Sequence, residues 1–153
     1  MLASALVAFV HHLAAFAITT ALAIELVTLR GELTVDKARR LIGIDAVYGI
    51  AAMTLVVVGI ARVVWFEKGS AYYLHSAPFI AKMILFAAIG LLSIRPTMTF
   101  LSWRKTLADN RVPVLAADAQ RSLRRIVHLE FALLALVILC AALMAKGVGF
   151  FGG

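Results

Sequence analysis

The chain has little of what cross-links or interrupts a soluble fold: one cysteine, Cys140, and three prolines among 153 residues. A single cysteine excludes an intramolecular disulfide and any CxxC metal or redox site. Acidic residues are also scarce, with 8 Asp and Glu against 15 Lys and Arg. Apolar sequence is in excess instead. Hydrophobic residues make up 63% of the chain and the mean hydropathy is +1.00, well above the values of soluble domains. The composition therefore indicates a membrane protein.

Four apolar runs each reach the roughly 20 residues that a membrane-spanning helix needs. We predict an all-α integral membrane four-helix bundle, with one transmembrane domain over residues 1–153. Helices are expected at about 2–29, 41–66, 77–103 and 118–146, the last beginning ahead of its apolar run at 126–145. The first run has no basic segment before it and is too long for the core of a secretory signal. It is expected to remain in the mature protein.

Positive charge is concentrated after the first and third spans. The residues concerned are Arg30, Lys37, Arg39, Arg40, Arg104, Lys105, Arg111, Arg121, Arg124 and Arg125. The positive-inside rule makes both connections cytoplasmic and predicts an N-out, C-out protein of the bacterial inner membrane. This topology and contact with lipid headgroups explain the net charge of +7, so no nucleic-acid binding is predicted. The sequence leaves oligomerisation open.

Polar residues near the predicted outer side form a layer of cations and hydrogen-bond donors. The spans contribute His11, His12, Arg62 and Lys82, and the second connection contributes Tyr72, Tyr73 and His75. No acid lies at this depth in any span, and excess positive charge in a low-dielectric interior is unfavourable. A haem would satisfy the layer, because its iron takes imidazole and its propionates take Arg, Lys and Tyr. A quinone or a metal ion would do so less completely, and neighbouring carbonyls with interfacial water would satisfy the histidines alone.

A second polar layer lies near the predicted cytoplasmic side. Its members are Glu25, Asp45, Tyr48, Arg95, His128 and Glu130. One interpretation is structural, with Arg95 paired to Asp45 or Glu25 to hold the helices in register. The other is a proton path or a ligand site, in which Glu25, Asp45 and His128 are candidate proton carriers.

Adjacent histidines on a helix point about 100° apart, so only one of His11 and His12 readily serves as a ligand. Spacing does not choose between them, although Glu25 on the face of His11 favours that residue facing inward. At a rise of 1.5 Å per residue, His12 and His128 differ in depth by ~12 Å. One haem bridged by these two residues is therefore not expected. We expect one haem with a single histidine ligand, the alternative being a second haem at His128.

Several stretches together resemble an uncharacterised bacterial family of small membrane proteins, catalogued as domain of unknown function 2214. They are "HHLAAFA", "DAVYGIAA", "GIARVVWFEKG", "FIAKMILFAAIGLLSIRPT" and "RRIVHLEFALLAL". More remotely, the chain is similar to HemJ-type protoporphyrinogen oxidases and to the membrane part of copper-resistance D proteins. The HemJ likeness implies a b-type haem, with a functional histidine at His12 and a functional lysine at Lys82. It thereby reverses the preference for His11. The arginine that the HemJ-type pattern has inside the first helix is replaced here by Glu25. The resemblance therefore implies haem binding by this chain more strongly than it implies tetrapyrrole oxidation.

The sequence thus predicts a membrane haem protein that acts as an oxidoreductase or electron carrier. The metal ligand is expected to be His12, with His11 as its substitute, and a quinone, a tetrapyrrole or a redox protein is the expected partner. The candidate cofactor-binding side chains are Arg62, Lys82, Tyr72, Tyr73 and Arg95. The alternatives are a transporter or a copper- or zinc-handling module without haem, using His11, His12 and His75, and an assembly factor without any cofactor.

Overall fold

The structure is a computed structural model that describes residues 2–66 and 73–151. Its elements are α1 (Leu2–Thr28), α2 (Val35–Ala61) continued by a π-helical turn (Arg62–Phe66), α3 (Ala77–Ser102), α4 (Arg104–Ala108) and α5 (Ala117–Ala145). Four of them, α1, α2, α3 and α5, are long and apolar enough to cross a membrane. The described residues contain no β-strand. The predicted all-α membrane bundle is confirmed.

The second helix begins at Val35, earlier than the start expected at residue 41. The Thr34 side chain caps it by accepting a hydrogen bond from the Lys37 backbone N–H at 3.2 Å, and Asp36 lies in the first turn. Both features stabilise a helix N-terminus. The start at residue 41 was predicted from the apolar run, which marks only the lipid-spanning part of the helix. The prediction therefore omitted this polar first turn.

The four spans pack as two close pairs. Helix α1 lies along α2 and α3 lies along α5, whereas the α1–α5 and α2–α3 contacts are less extensive. The backbones of α1 and α3 do not approach each other closely, which places these two helices diagonally across the bundle. A side chain that points inward from α1 therefore faces the space between the two pairs.

The two ends of the bundle are packed differently. We call the end with His11, Arg62 and Lys82 the histidine end, and the end with Glu25, Asp45 and Glu130 the carboxylate end. The last buried residue of α2 is Ala51, and the described part of α3 has no buried residue between Pro78 and Ile89. The largest fully buried side chains are Phe100, Ile18, Leu22, Leu29, Leu41, Ile89, Glu130 and Val127. The helices are thus packed more closely at the carboxylate end than at the histidine end.

The connections tie the carboxylate end together. The Gln120 side-chain amide donates to the carbonyl oxygens of Leu29 at 2.9 Å and Gly31 at 2.7 Å. The Arg39 guanidinium donates to Asn110 Oδ1 at 3.1 Å, linking the start of α2 to the segment after α4. These contacts join the polar connections to one another at this end of the bundle.

The C-terminal segment is fixed to the start of α3 at the histidine end. The Phe151 N–H donates to the His75 carbonyl at 2.9 Å, and the Ala77 N–H donates to the Gly149 carbonyl at 3.0 Å. Gly149 has a φ of +75°, and a Cβ there would lie 2.8 Å from Pro78 Cδ. This close approach requires glycine.

Candidate functional site

The His11 side chain is half-buried and packs against α2. A Cβ placed on Gly59 would lie 3.4 Å from His11 Cε1, so the ring rests where α2 has no side chain. His11 Nδ1 is buried and has no hydrogen-bond partner. An unsatisfied buried polar atom is costly, so this nitrogen calls for a ligand or an ordered water.

The His12 side chain is exposed on the outside of the bundle. Its Nδ1 is 2.6 Å from the Ala8 carbonyl oxygen, which can only accept, so Nδ1 carries the hydrogen. The His11 and His12 ring centroids are 6.0 Å apart and the ring planes differ by 86°. The two imidazoles therefore diverge. The structure turns His11 inward, although the resemblance implies His12 as the ligand.

Two cations converge on the inward histidine. Arg62 from the π-helical turn and Lys82 from α3 both lie within electrostatic range of His11, and they act on each other as well. Lys82 Nζ is 5.4 Å from the centroid of the Phe79 ring. The described spans contain no acidic side chain at this end. The predicted cationic layer is thus brought together by α1, α2 and α3.

Tyr73 and His75 lie at the rim of this end. Tyr73 is buried, with its ring centroid 5.1 Å from that of Phe79, and Tyr72 lies outside the described residues. The His75 ring packs against Phe151 with centroids 5.8 Å apart. Within residues 2–66 and 73–151, no three His, Cys, Asp or Glu side chains are placed to hold a metal ion. The expected alternative of copper or zinc bound by His11, His12 and His75 gains no support from this arrangement.

At the carboxylate end, all four spans contribute to one polar cluster. Glu25 from α1, Asp45 from α2 and Glu130 from α5 are 2%, 7% and 1% exposed. Thr97 from α3 donates its hydroxyl hydrogen to Asp45 Oδ1 at 2.7 Å. Tyr48 is buried within electrostatic range of all three acids. We call Glu25, Asp45 and Glu130 the carboxylate cluster.

Two residues predicted in this layer do not join the cluster. Arg95 is exposed on α3 and forms no ion pair with the described residues, so the expected pairing of Arg95 with Asp45 or Glu25 is wrong. His128 is exposed on α5, and its Nδ1 donates to the Arg124 carbonyl at 2.8 Å. Long basic side chains near a helix end reach the headgroup region at lower cost than they enter the core. The carboxylates therefore have neither Arg95 nor His128 as a partner.

Sequence reasoning missed two neighbours of the polar side chains. Gly59 makes room for the His11 ring, and Thr97 donates to Asp45. A signal for Gly59 was available, because it lies one turn before Arg62 on the same face of α2. Thr97 had no such signal, since its partner belongs to another helix.

The residues at the histidine end fit a haem by their chemistry. Imidazole is a common axial ligand of haem iron, and His11 carries a buried nitrogen that no protein group satisfies. The two cations suit the propionates, and Lys82 has no hydrogen-bond or ion-pair partner among the described residues. The more open packing between the helix pairs lies at this same end.

The family model described as Predicted membrane protein (DUF2214) matches residues 3–149. The chain therefore belongs to this family of membrane proteins. No curated protein and no solved structure matches it, so the remoter likenesses to HemJ-type oxidases and copper-resistance D proteins are not shown by these comparisons.

Proposed function

We propose that this DUF2214 protein is a membrane haem protein that serves one-electron transfer, with a b-type haem held at the histidine end. The supporting observation is the buried, unsatisfied Nδ1 of His11 beside Arg62 and Lys82. The described spans hold cations and no acid at this end, which favours an anionic or electron-rich guest, and the unsatisfied histidine nitrogen favours one that contains a metal.

Each residue at this end has a role in the proposal. The His11 imidazole would hold the haem iron, in preference to His12, because His12 faces outward. Arg62 and Lys82 bind the propionates, since charge-assisted hydrogen bonds to carboxylates are stronger than neutral ones. Tyr73 supplies a phenolic group at the rim. Bound haem would exchange single electrons with a quinone, a tetrapyrrole or a redox protein.

An optical spectrum of the detergent-purified protein, before and after dithionite, tests the proposal. We expect a Soret band that shifts on reduction together with sharp α and β bands. Metal analysis of the same sample should give iron in proportion to protein. A featureless visible spectrum after expression with full iron supply would overturn the haem assignment. Stoichiometric copper or zinc without porphyrin would replace it with metal handling.

Gly59→Val is expected to lower the haem content of the purified protein severalfold. The Cβ alone would already reach 3.4 Å from His11 Cε1, and the two methyl groups of valine extend further into the ring. The matched control is Gly49→Val in the same helix, where a Cβ meets nothing within 4 Å. The Soret absorbance per protein is measured for both variants. Equal absorbance in the two variants would mean that the position of the His11 ring does not matter for haem.

A further inference from the structure

The carboxylate cluster concentrates acidic groups in the interior of a membrane protein without cations to balance them. The electrostatic neighbours of Glu25 are Asp45 and Glu130, and that of Glu130 is Asp45. None of the three acids forms an ion pair within the described residues. Three ionised carboxylates in this setting would repel one another across a low dielectric.

Hydrogen-bond donors are also too few for three carboxylates. The Thr97 hydroxyl donates a hydrogen bond to Asp45 Oδ1. Glu25 Oε1 and Glu130 Oε1, in contrast, are buried without any hydrogen-bond partner. Both glutamates are more than nine-tenths buried, at 2% and 1% exposure. An ionised carboxylate only accepts hydrogen bonds, so unpaired oxygens in the interior are strongly disfavoured.

We infer that the carboxylate cluster is a proton-binding site that holds its acids in the protonated form at neutral pH. A bound proton removes the negative charge of a carboxylate. The resulting O–H group can then donate a hydrogen bond to a neighbouring carboxyl oxygen. Each step forms one carboxyl O–H bond and breaks one O–H bond of a hydronium ion, which leaves as water. The cluster needs no arginine or lysine partner in this form, which agrees with the outward position of Arg95.

A proton suits the site better than a metal ion does. No group of three His, Cys, Asp or Glu side chains in the described residues is placed to hold a metal. Among the described residues, hydroxyl groups lie beside the carboxylates: Tyr48 from α2 beside Ser93 from α3, and Thr97 from α3. Hydroxyls donate and accept, so they can relay a proton among the three acids.

The site lies toward the end of the bundle that carries the polar connections, from which protons would be exchanged with water. The cluster is at the end of the bundle where the basic connections meet, and Gln120 and Arg39 tie these connections together just beyond it. Asp45 keeps 7% of its surface exposed, more than either glutamate does. The inference does not depend on haem at the histidine end.

Infrared spectroscopy of the purified full-length protein at neutral pH tests the inference. We expect the carbonyl stretching absorption of protonated carboxylic acids, shifted in heavy water. Glu25→Gln and Glu130→Gln should each remove the share of one carboxyl group from that absorption. The matched control is Glu32→Gln, which changes an exposed acid in the connection after α1 and should remove none. Glutamine has the shape of the neutral acid, so the two buried variants should unfold at the temperature of the wild type.

Two outcomes would overturn the inference. The first is a wild-type spectrum at neutral pH without protonated carboxylic acid, which would mean that the cluster is ionised. The second is an absorption that disappears when sodium or potassium is added, which would identify the site as one for an alkali cation. Both outcomes are read on the wild type, so they do not depend on whether a variant folds. Neither requires haem, so the failure of the proposed electron-transfer function is a separate result.

Discussion

His11→Ala should purify with little or no haem absorbance, whereas His12→Ala should retain a Soret band close to that of the wild type. The half-buried His11 ring packs against α2 beside Arg62 and Lys82, and the His12 ring is exposed and bonded to the carbonyl of Ala8. Loss of an outer-shell partner alone weakens metal binding by about 10–100-fold, so loss of the ligand itself should cost at least as much.

The two variants control for each other, because each removes one imidazole from the same turn of α1. Haem content is measured as Soret absorbance per protein after identical expression and purification. The reverse result, with haem lost only in His12→Ala, would place the cofactor on the outer surface of α1 and support the assignment that the resemblance implies. Full haem in the double variant would exclude both histidines as ligands.

Phe100→Ala should lower the free energy of unfolding by about 3–5 kcal/mol, the usual cost of truncating a fully buried aromatic side chain. The Phe100 side chain is 0% exposed, and its ring centroid is 5.2 Å from that of Trp103. In a bilayer, helix association depends on close packing rather than on burial away from water, so a cavity at this point cannot be offset by lipid. Haem absorbance should change little, since Phe100 lies far along α3 from Lys82.

The matched control for this prediction is Met98→Ala. Met98 lies in the same helix, has an unbranched apolar side chain and is 63% exposed, so its truncation removes little packing within the chain. Reversible unfolding in mixed detergent gives both free energies. A loss for Met98→Ala as large as that for Phe100→Ala would mean that α3 is covered on its outer face, as it would be in an oligomer.

The spans and the presence of two polar layers followed from the chain alone. Hydropathy identifies spans because each backbone polar group in lipid must be satisfied within a helix. The start of α2 was placed too late, since the hydrogen bond from Lys37 to Thr34 lies outside the apolar run. The interpretation that pairs Arg95 with Asp45 or Glu25 was wrong, because it used only the depth of these residues in the membrane. Depth does not determine the direction in which a side chain points.

The sequence by itself determined that this protein is a four-span helical membrane protein with basic connections and ionisable groups at two depths. Local composition decides those properties, because lipid selects for apolar length one helix at a time. Only the tertiary structure decided which groups meet: His11 rather than His12 with Arg62 and Lys82, and Glu25 with Asp45 and Glu130. These contacts depend on how each helix is rotated about its axis. That rotation is set by packing between helices distant in sequence, which no single run of residues encodes.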